Sequence, residues 1–213
     1  MINSILITSG PTIEPIDPLM FISNHSSGKT GYYIAEEAKK RDIERIVYIT
    51  GPSNYIPDNV DIIKVKTAIE MREQVLKHYN DVDLVIMAAV VSDYASAKIY
   101  PDKINKDQES ISLKLIKNPD ILSELGNRKK KQILIGFAVE TENIFKNGQK
   151  KLKKKNLDLL VLTEISESNK AFKVDESQVY FLTGNGIKAN KKMKKSEIAG
   201  ILWNEILNLK PNK

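Results

Sequence analysis

Eight consecutive apolar residues, 84–91 (LVIMAAVV), set the first constraint on this fold. The run is far shorter than the roughly 18–20 residues of a membrane-spanning helix. A strand that is apolar on both faces belongs in the middle of a parallel sheet, covered by helices on either side. Parallel neighbours need long crossover connections, so the flanking sequence must supply helices between strands. It does. Segments 5–8, 45–50, 62–65, 133–137 and 159–162 read as further strands, while 30–41, 68–79 and 143–154 carry helical patterns. A closing helix over 196–209 presents Ile198, Ile201, Leu202, Ile206 and Leu209 as its apolar stripe. The alternation predicts an α/β fold, Rossmann-like and doubly wound, with a mostly parallel sheet.

Two segments depart from the alternation. Residues 94–117 are polar and long, with a two-residue period over 111–116 (ISLKLI) that predicts a hairpin arm and a flap. Residues 179–182 and 187–189 flank Thr183-Gly184-Asn185-Gly186, a turn in which glycine admits positive φ, and this predicts a small C-terminal hairpin. With no internal repeat and no linker composition, residues 1–213 read as a single domain.

Charge and composition narrow the classes. Lys and Arg number 33 against 27 Asp and Glu, a net charge of +6, with 41% apolar and 28% charged residues, which excludes disordered and collagen-like chains. Cysteine is absent, so disulfides, thiolate metal sites and a Cys nucleophile are excluded. The first residues carry no basic n-region or apolar h-region, so a cytoplasmic location without membrane attachment is expected. Lysines cluster at 129–131, 146–155 and 188–195 without interleaved aromatics. That pattern predicts solvated faces or a local anion site and gives no reason to expect nucleic-acid binding.

Three loops concentrate small and polar residues where strands end. Ser9, Gly10 and Thr12 follow the first strand; this is neither GxGxxG nor a Walker A loop, yet it lets backbone approach a phosphate. Residues 23–31 (SNHSSGKTG) precede a helix and hold more polar groups than an N-cap by Ser26 or Ser27 would need. The loop after 84–91 offers Ala88 and Ala89, against which a substrate can lie, and Asp93 as an acceptor. Tyr94 and Lys98 also fit the YxxxK spacing of short-chain dehydrogenases, an alternative oxidoreductase reading. The serine that chemistry needs upstream is missing from 80–83.

Together with FISNHSSGKTG (21–31), the motifs KINK (103–106), KNPDIL (117–122), GFAVET (136–141) and KLKKKNLDL (151–159) resemble phosphopantothenoylcysteine synthetase, in order and over nearly the whole chain. In many bacteria that synthetase is the carboxyl-terminal half of a bifunctional protein. This chain looks like a monofunctional version or an excised domain, with no flavin expected and the decarboxylase belonging to a separate chain or to the rest of a longer one. The resemblance implies ligation of 4′-phosphopantothenate to L-cysteine through a phosphopantothenoyl-cytidylate, using CTP with Mg²⁺ and releasing pyrophosphate and CMP. It also implies a homodimer. Asn24 and Lys103 would be catalytic. Ser26, Ser27, Gly28, Lys29, Ala88 and Ala89 would bind substrate. Ser9, Gly10, Thr12, Asp93, Asn118, Pro119, Asp120, Ile121, Phe137, Lys151 and Lys155 would hold the nucleotide, and no protein-built metal cluster is implied.

The sequence departs from that family at three points. Met20 replaces a common arginine associated with the substrate phosphate, Asn105 replaces a flap lysine, and Thr163-Glu164 stands where Asn-Asp is usual. Lys29 is the nearby cation that could stand in for the arginine. A non-catalytic nucleotide-binding relative is the second alternative.

Overall fold

The computed structural model describes residues 2–105, 109–165 and 175–209. Its core alternates as the pattern predicts: β1 (Ser4–Ser9), α1 (Lys29–Lys39), β2 (Arg45–Thr50), β3 (Asp61–Lys64), α2 (Ala68–His78), β4 (Leu84–Met87), α3 (Ile121–Arg128), β5 (Ile133–Glu140), α4 (Ile144–Lys154), β6 (Leu159–Glu164), β7 (Val179–Thr183), β8 (Gly186–Ala189) and α5 (Lys195–Leu207). The sheet order is β8-β7-β6-β5-β4-β1-β2-β3. The six strands from β3 to β6 are parallel, and β7 and β8 add on antiparallel. The C-terminal hairpin therefore extends the main sheet.

Both faces of the sheet are buried, which explains the unbroken apolar run in β4. The period-two pleat sends Ile5, Ile7, Tyr48, Ile86 and Val161 against α1 and α5. Leu6, Val47, Val85, Leu134 and Leu160 face α2, α3 and α4. Trp203 of α5 is fully buried, and its indole N–H donates to the Ile34 carbonyl at 3.2 Å, fastening α5 to α1.

The flap differs from expectation. Only Leu115–Lys117 forms a strand in its second half, paired with Tyr94–Ser96. Residues 109–114 form no strand beyond a single bond from the Ala97 amide to the Lys114 carbonyl at 2.9 Å, and Ile111, 45% exposed, meets no core that would reward its alternation. Lys106 of the KINK motif lies outside the described residues. Helix α3 was not legible in the apolar periodicity, being short and beginning inside KNPDIL. Among the described residues no helix is long and apolar enough to cross a membrane.

Candidate functional site

The strand order reverses between β1 and β4, and open α/β sheets bind ligands at such points, beyond the carboxyl ends of the strands. A cavity of about 430 Å³ lies there, walled by the first turn of α1, the ends of β4, β5 and β6, and the starts of α3 and α5. Gly28 opens α1 with φ 81° and has no side chain with which to cap it, and among the described residues only a long 3.4 Å bond from the Lys29 amide to Ser27 Oγ meets the first turn. The first-turn amides border the cavity as a ready anion site. Glycine is required there for space as well as for φ: a Cβ would sit 2.5 Å from Ser53 Oγ.

The cavity brings together most of the residues singled out from sequence: Ser26 to Lys29, Ala88, Ala89, Asp93, Asn118 to Ile121, Phe137, Lys151 and Lys155. Asn118 is held in place twice. Its backbone N–H donates to the Asp93 carbonyl at 2.8 Å and its side-chain amide to the Ser92 carbonyl at 2.8 Å. Asp120 caps α3, accepting from the Ser123 amide at 3.0 Å, and pairs with the Lys155 ammonium at 2.8 Å. Burial alone would raise the Asp120 carboxyl, but Lys155 and Ser123 outweigh it and hold it below the usual carboxylate range. Lys151, one turn before Lys155, pairs with Glu140 at 2.5 Å. Lys155 caps α4 rather than lying within it, its amide donating to the Lys151 carbonyl at 3.0 Å, yet both lysines line the cavity and each carries a carboxylate that an arriving phosphate must displace or share.

Ser9, Gly10 and Thr12 take another part. They brace the loops behind the cavity and do not line it. Ser9 Oγ donates to the Gly28 carbonyl at 2.9 Å, and the Gly10 carbonyl accepts from the Val90 amide at 2.9 Å. Thr12 Oγ1 accepts from the Ser92 amide at 2.9 Å. Asn24 also stands behind the wall, donating its amide to the Val90 carbonyl at 2.7 Å while its Oδ1 accepts from the Ser26 amide at 3.0 Å. Lys103 borders a separate concavity with Asp17, Met20 and Ile104. Within one chain, then, Asn24 and Lys103 are not brought to the cavity.

Lys29 lines the cavity, yet its ammonium is engaged by Asp175 at 2.6 Å. That bond raises its pKa above the ordinary lysine value. Tyr94 lies on a short strand, so Tyr94 and Lys98 do not share a helical turn as the dehydrogenase pair must, and the Lys98 ammonium sits 4.4 Å from the Tyr100 ring centroid. Sequence reasoning missed Ser92, Ser177 and Lys195, all of which line the cavity. The signal for Lys195 was its spacing: it falls three and seven residues before Ile198 and Leu202, on the buried face of α5. Among the described residues no group of three or more His, Asp or Glu side chains is placed to hold a metal ion.

Comparison with known proteins agrees with this architecture. The family model described as "DNA/pantothenate metabolism flavoprotein C-terminal domain" matches residues 2–209. The coenzyme A biosynthesis bifunctional protein CoaBC of Borreliella burgdorferi is 42% identical over 92% of this chain and 50% of its own length. The protein of that name from Haemophilus influenzae is 40% identical over 96% of this chain and 51% of its own length. The chain therefore spans about half the length of these curated relatives. The crystal structure of the C-terminal domain of a CoaBC protein superposes with a TM-score of 0.81 at 34% identity, over 96% of this chain and 93% of that one. The chain belongs to the DNA/pantothenate metabolism flavoprotein C-terminal domain family, in keeping with its resemblance to phosphopantothenoylcysteine synthetases.

Proposed function

We propose that this chain is a CTP-dependent phosphopantothenate–cysteine ligase of coenzyme A biosynthesis. The observation that carries the reading is one cavity at the strand switch, with a helix start opened by Gly28 and the Lys151/Lys155 pair bordering the same space. The carboxylate of 4′-phosphopantothenate attacks the α-phosphorus of CTP, the bond to the β-phosphate breaks, and pyrophosphate leaves. The cysteine amine then attacks the acyl carbon, CMP departs with the bonding pair, and the amine gives up a proton as the amide forms. Activation is needed because a carboxylate is a poor electrophile, so the protein's work is to hold two anions together.

In this reading Asn118 to Ile121 and Phe137 shape the nucleotide end, Lys151 and Lys155 meet its phosphates, and Ala88 and Ala89 lie along the pantothenoyl arm. CTP enters as its Mg²⁺ complex. Asp93 borders the same space and would accept hydrogen bonds from the sugar or base of the nucleotide. Closure of the segment bearing Lys103, within a homodimer, completes the site around the acyl phosphate with Asn24. No flavin takes part, and decarboxylation of the product falls to another catalytic unit.

The test is pyrophosphate release with 4′-phosphopantothenate and Mg²⁺, CTP against ATP, with and without cysteine, for the wild type and Lys103→Gln. CTP-dependent release, with amide product only when cysteine is added, supports the reading, and failure of Lys103→Gln to complete ligation supports the flap role. Silence from the wild type with both nucleotides overturns it in favour of a nucleotide-binding relative that does not ligate.

A further inference from the structure

The lysines that line the cavity are not equivalent. Lys29, Lys151 and Lys155 each face a carboxylate at 2.5–2.8 Å, and Lys117 is exposed to solvent. Lys195 has none at hydrogen-bond distance among the described residues, although it is only 7% exposed. It also opens α5, where the positive end of the helix dipole disfavours a cation. Burial, first of all, and the nearby Lys29 charge push its pKa down, against a smaller upward pull from Asp175. An ammonium kept from water without a paired charge is costly, and a bound anion repays that cost.

A second observation marks the same end of the cavity. Ser177 is 4% exposed, lines the cavity, and its Oγ has no hydrogen-bond partner among the described residues. A buried hydroxyl without a partner is uncommon in native proteins and calls for an explanation. The first turn of α1, with Thr30 and Gly31, borders the same space. A cation, a hydroxyl donor and helix amides around one space fit a phosphoryl group, which offers several acceptor oxygens and negative charge.

We propose that Lys195 and Ser177 extend the anion site at the first turn of α1 into a phosphate subsite, distinct from the Lys151/Lys155 pair, in which Lys195 supplies the charge and Ser177 a hydroxyl donor. The proposal rests on the ligase reading for the identity of its ligands, which are the terminal phosphates of the nucleotide or the phosphate of 4′-phosphopantothenate.

Isothermal titration of the whole chain with pyrophosphate, CTP, CMP and 4′-phosphopantothenate decides it, comparing wild type with Lys195→Met, Lys195→Arg and Ser177→Ala. Lys195→Met weakens every ligand that uses the subsite by about tenfold or more, Lys195→Arg restores part of the loss, and Ser177→Ala costs about threefold. Weaker CTP and pyrophosphate with CMP unchanged assigns the subsite to the terminal phosphates; weaker 4′-phosphopantothenate alone assigns it to that substrate. The melting temperature of ligand-free Lys195→Met holds or rises, since an uncompensated buried charge has been removed. Unchanged affinity for all four ligands in folded Lys195→Met overturns the proposal. If that variant does not fold, unchanged affinities in Ser177→Ala do so. Pyrophosphate binding is read without turnover, so loss of the ligase reading and loss of this subsite give different results.

Discussion

The Asp17 carboxylate accepts the Ile104 amide at 3.0 Å, joining the loop after β1 to the segment that carries Lys103 across 87 residues of sequence. Its other oxygen accepts from the Leu19 and Met20 amides at 2.7 and 2.6 Å, so one side chain fixes both the turn at Met20 and the base of the flap. Backbone donation from Ile104, then from Met20, holds the carboxyl below the ordinary aspartate value of 3.8.

Asp17→Asn therefore loosens the flap without touching the nucleotide end. Ligation falls roughly ten- to hundredfold, as expected when a reacting group loses its position, while CTP affinity stays unchanged. The stabilisation from Asp17 is fully present above pH 3.8 and is lost as pH falls through the lower folded value. Denaturation curves of wild type and Asp17→Asn should thus converge in acid. Parallel curves at every pH would refute the linkage.

Lys155→Ala should release the Asp120 carboxyl upward, because the ammonium 2.8 Å away is the strongest of the contacts that together outweigh burial. Carbon-detected NMR titration of Asp120 reads that shift directly. Nucleotide affinity falls about tenfold in the same variant, the scale of a lost charge-assisted contact to phosphate. An Asp120 titration that does not move would show that Ser123 alone sets its value.

Gly31→Ala tests how closely α1 lies on β1. A Cβ there would stand 2.5 Å from Ser9 Oγ and 2.6 Å from Ser9 Cβ, so the helix must lift or Ser9 must surrender its bond to the Gly28 carbonyl. The cost is about 1–3 kcal/mol by urea denaturation, with phosphate affinity reduced as the first turn of α1 shifts.

Trp203→Ala removes a fully buried side chain that fastens α5 to α1. Loss of its packing costs about 3–5 kcal/mol. A loss below about 1 kcal/mol would mean that the α1–α5 layer collapses to fill the space.

How much of this was legible in the sequence depends on what each residue faces. β4 was readable because burial on both sides leaves no polar position to interrupt the run. α3 was not, since its cap, Asp120, sits in KNPDIL and reads equally well as ligand chemistry; the serine three residues on was the capping signal. The second arm of the flap was over-read because two-residue alternation at Ile111 has no consequence where no core receives it. Ser9 and Thr12 were identified as special, but their hydroxyls serve neighbouring loops, and hydrogen-bond direction is set by tertiary approach. Lys195 was hidden in a surface-looking cluster whose other members, Lys188, Lys191, Lys192 and Lys194, are exposed.

The position of β1 between β2 and β4 also bears on how the chain assembles. Ser4 Oγ meets the Asp83 carboxylate at 3.0 Å and Thr12 meets Ser92, partners 79 and 80 residues apart. Closing a loop of that length costs entropy before any contact repays it, and topologies rich in such contacts fold slowly. The β1–β2 pair, with α1 between its strands, is the more local unit and can form earlier, whereas the ligand pocket needs the later docking of β4. A nascent chain released before residue 84 would lack β4 and hold a half-sheet with the β4-facing edge of β1 bare, open to pairing with the same edge of another copy.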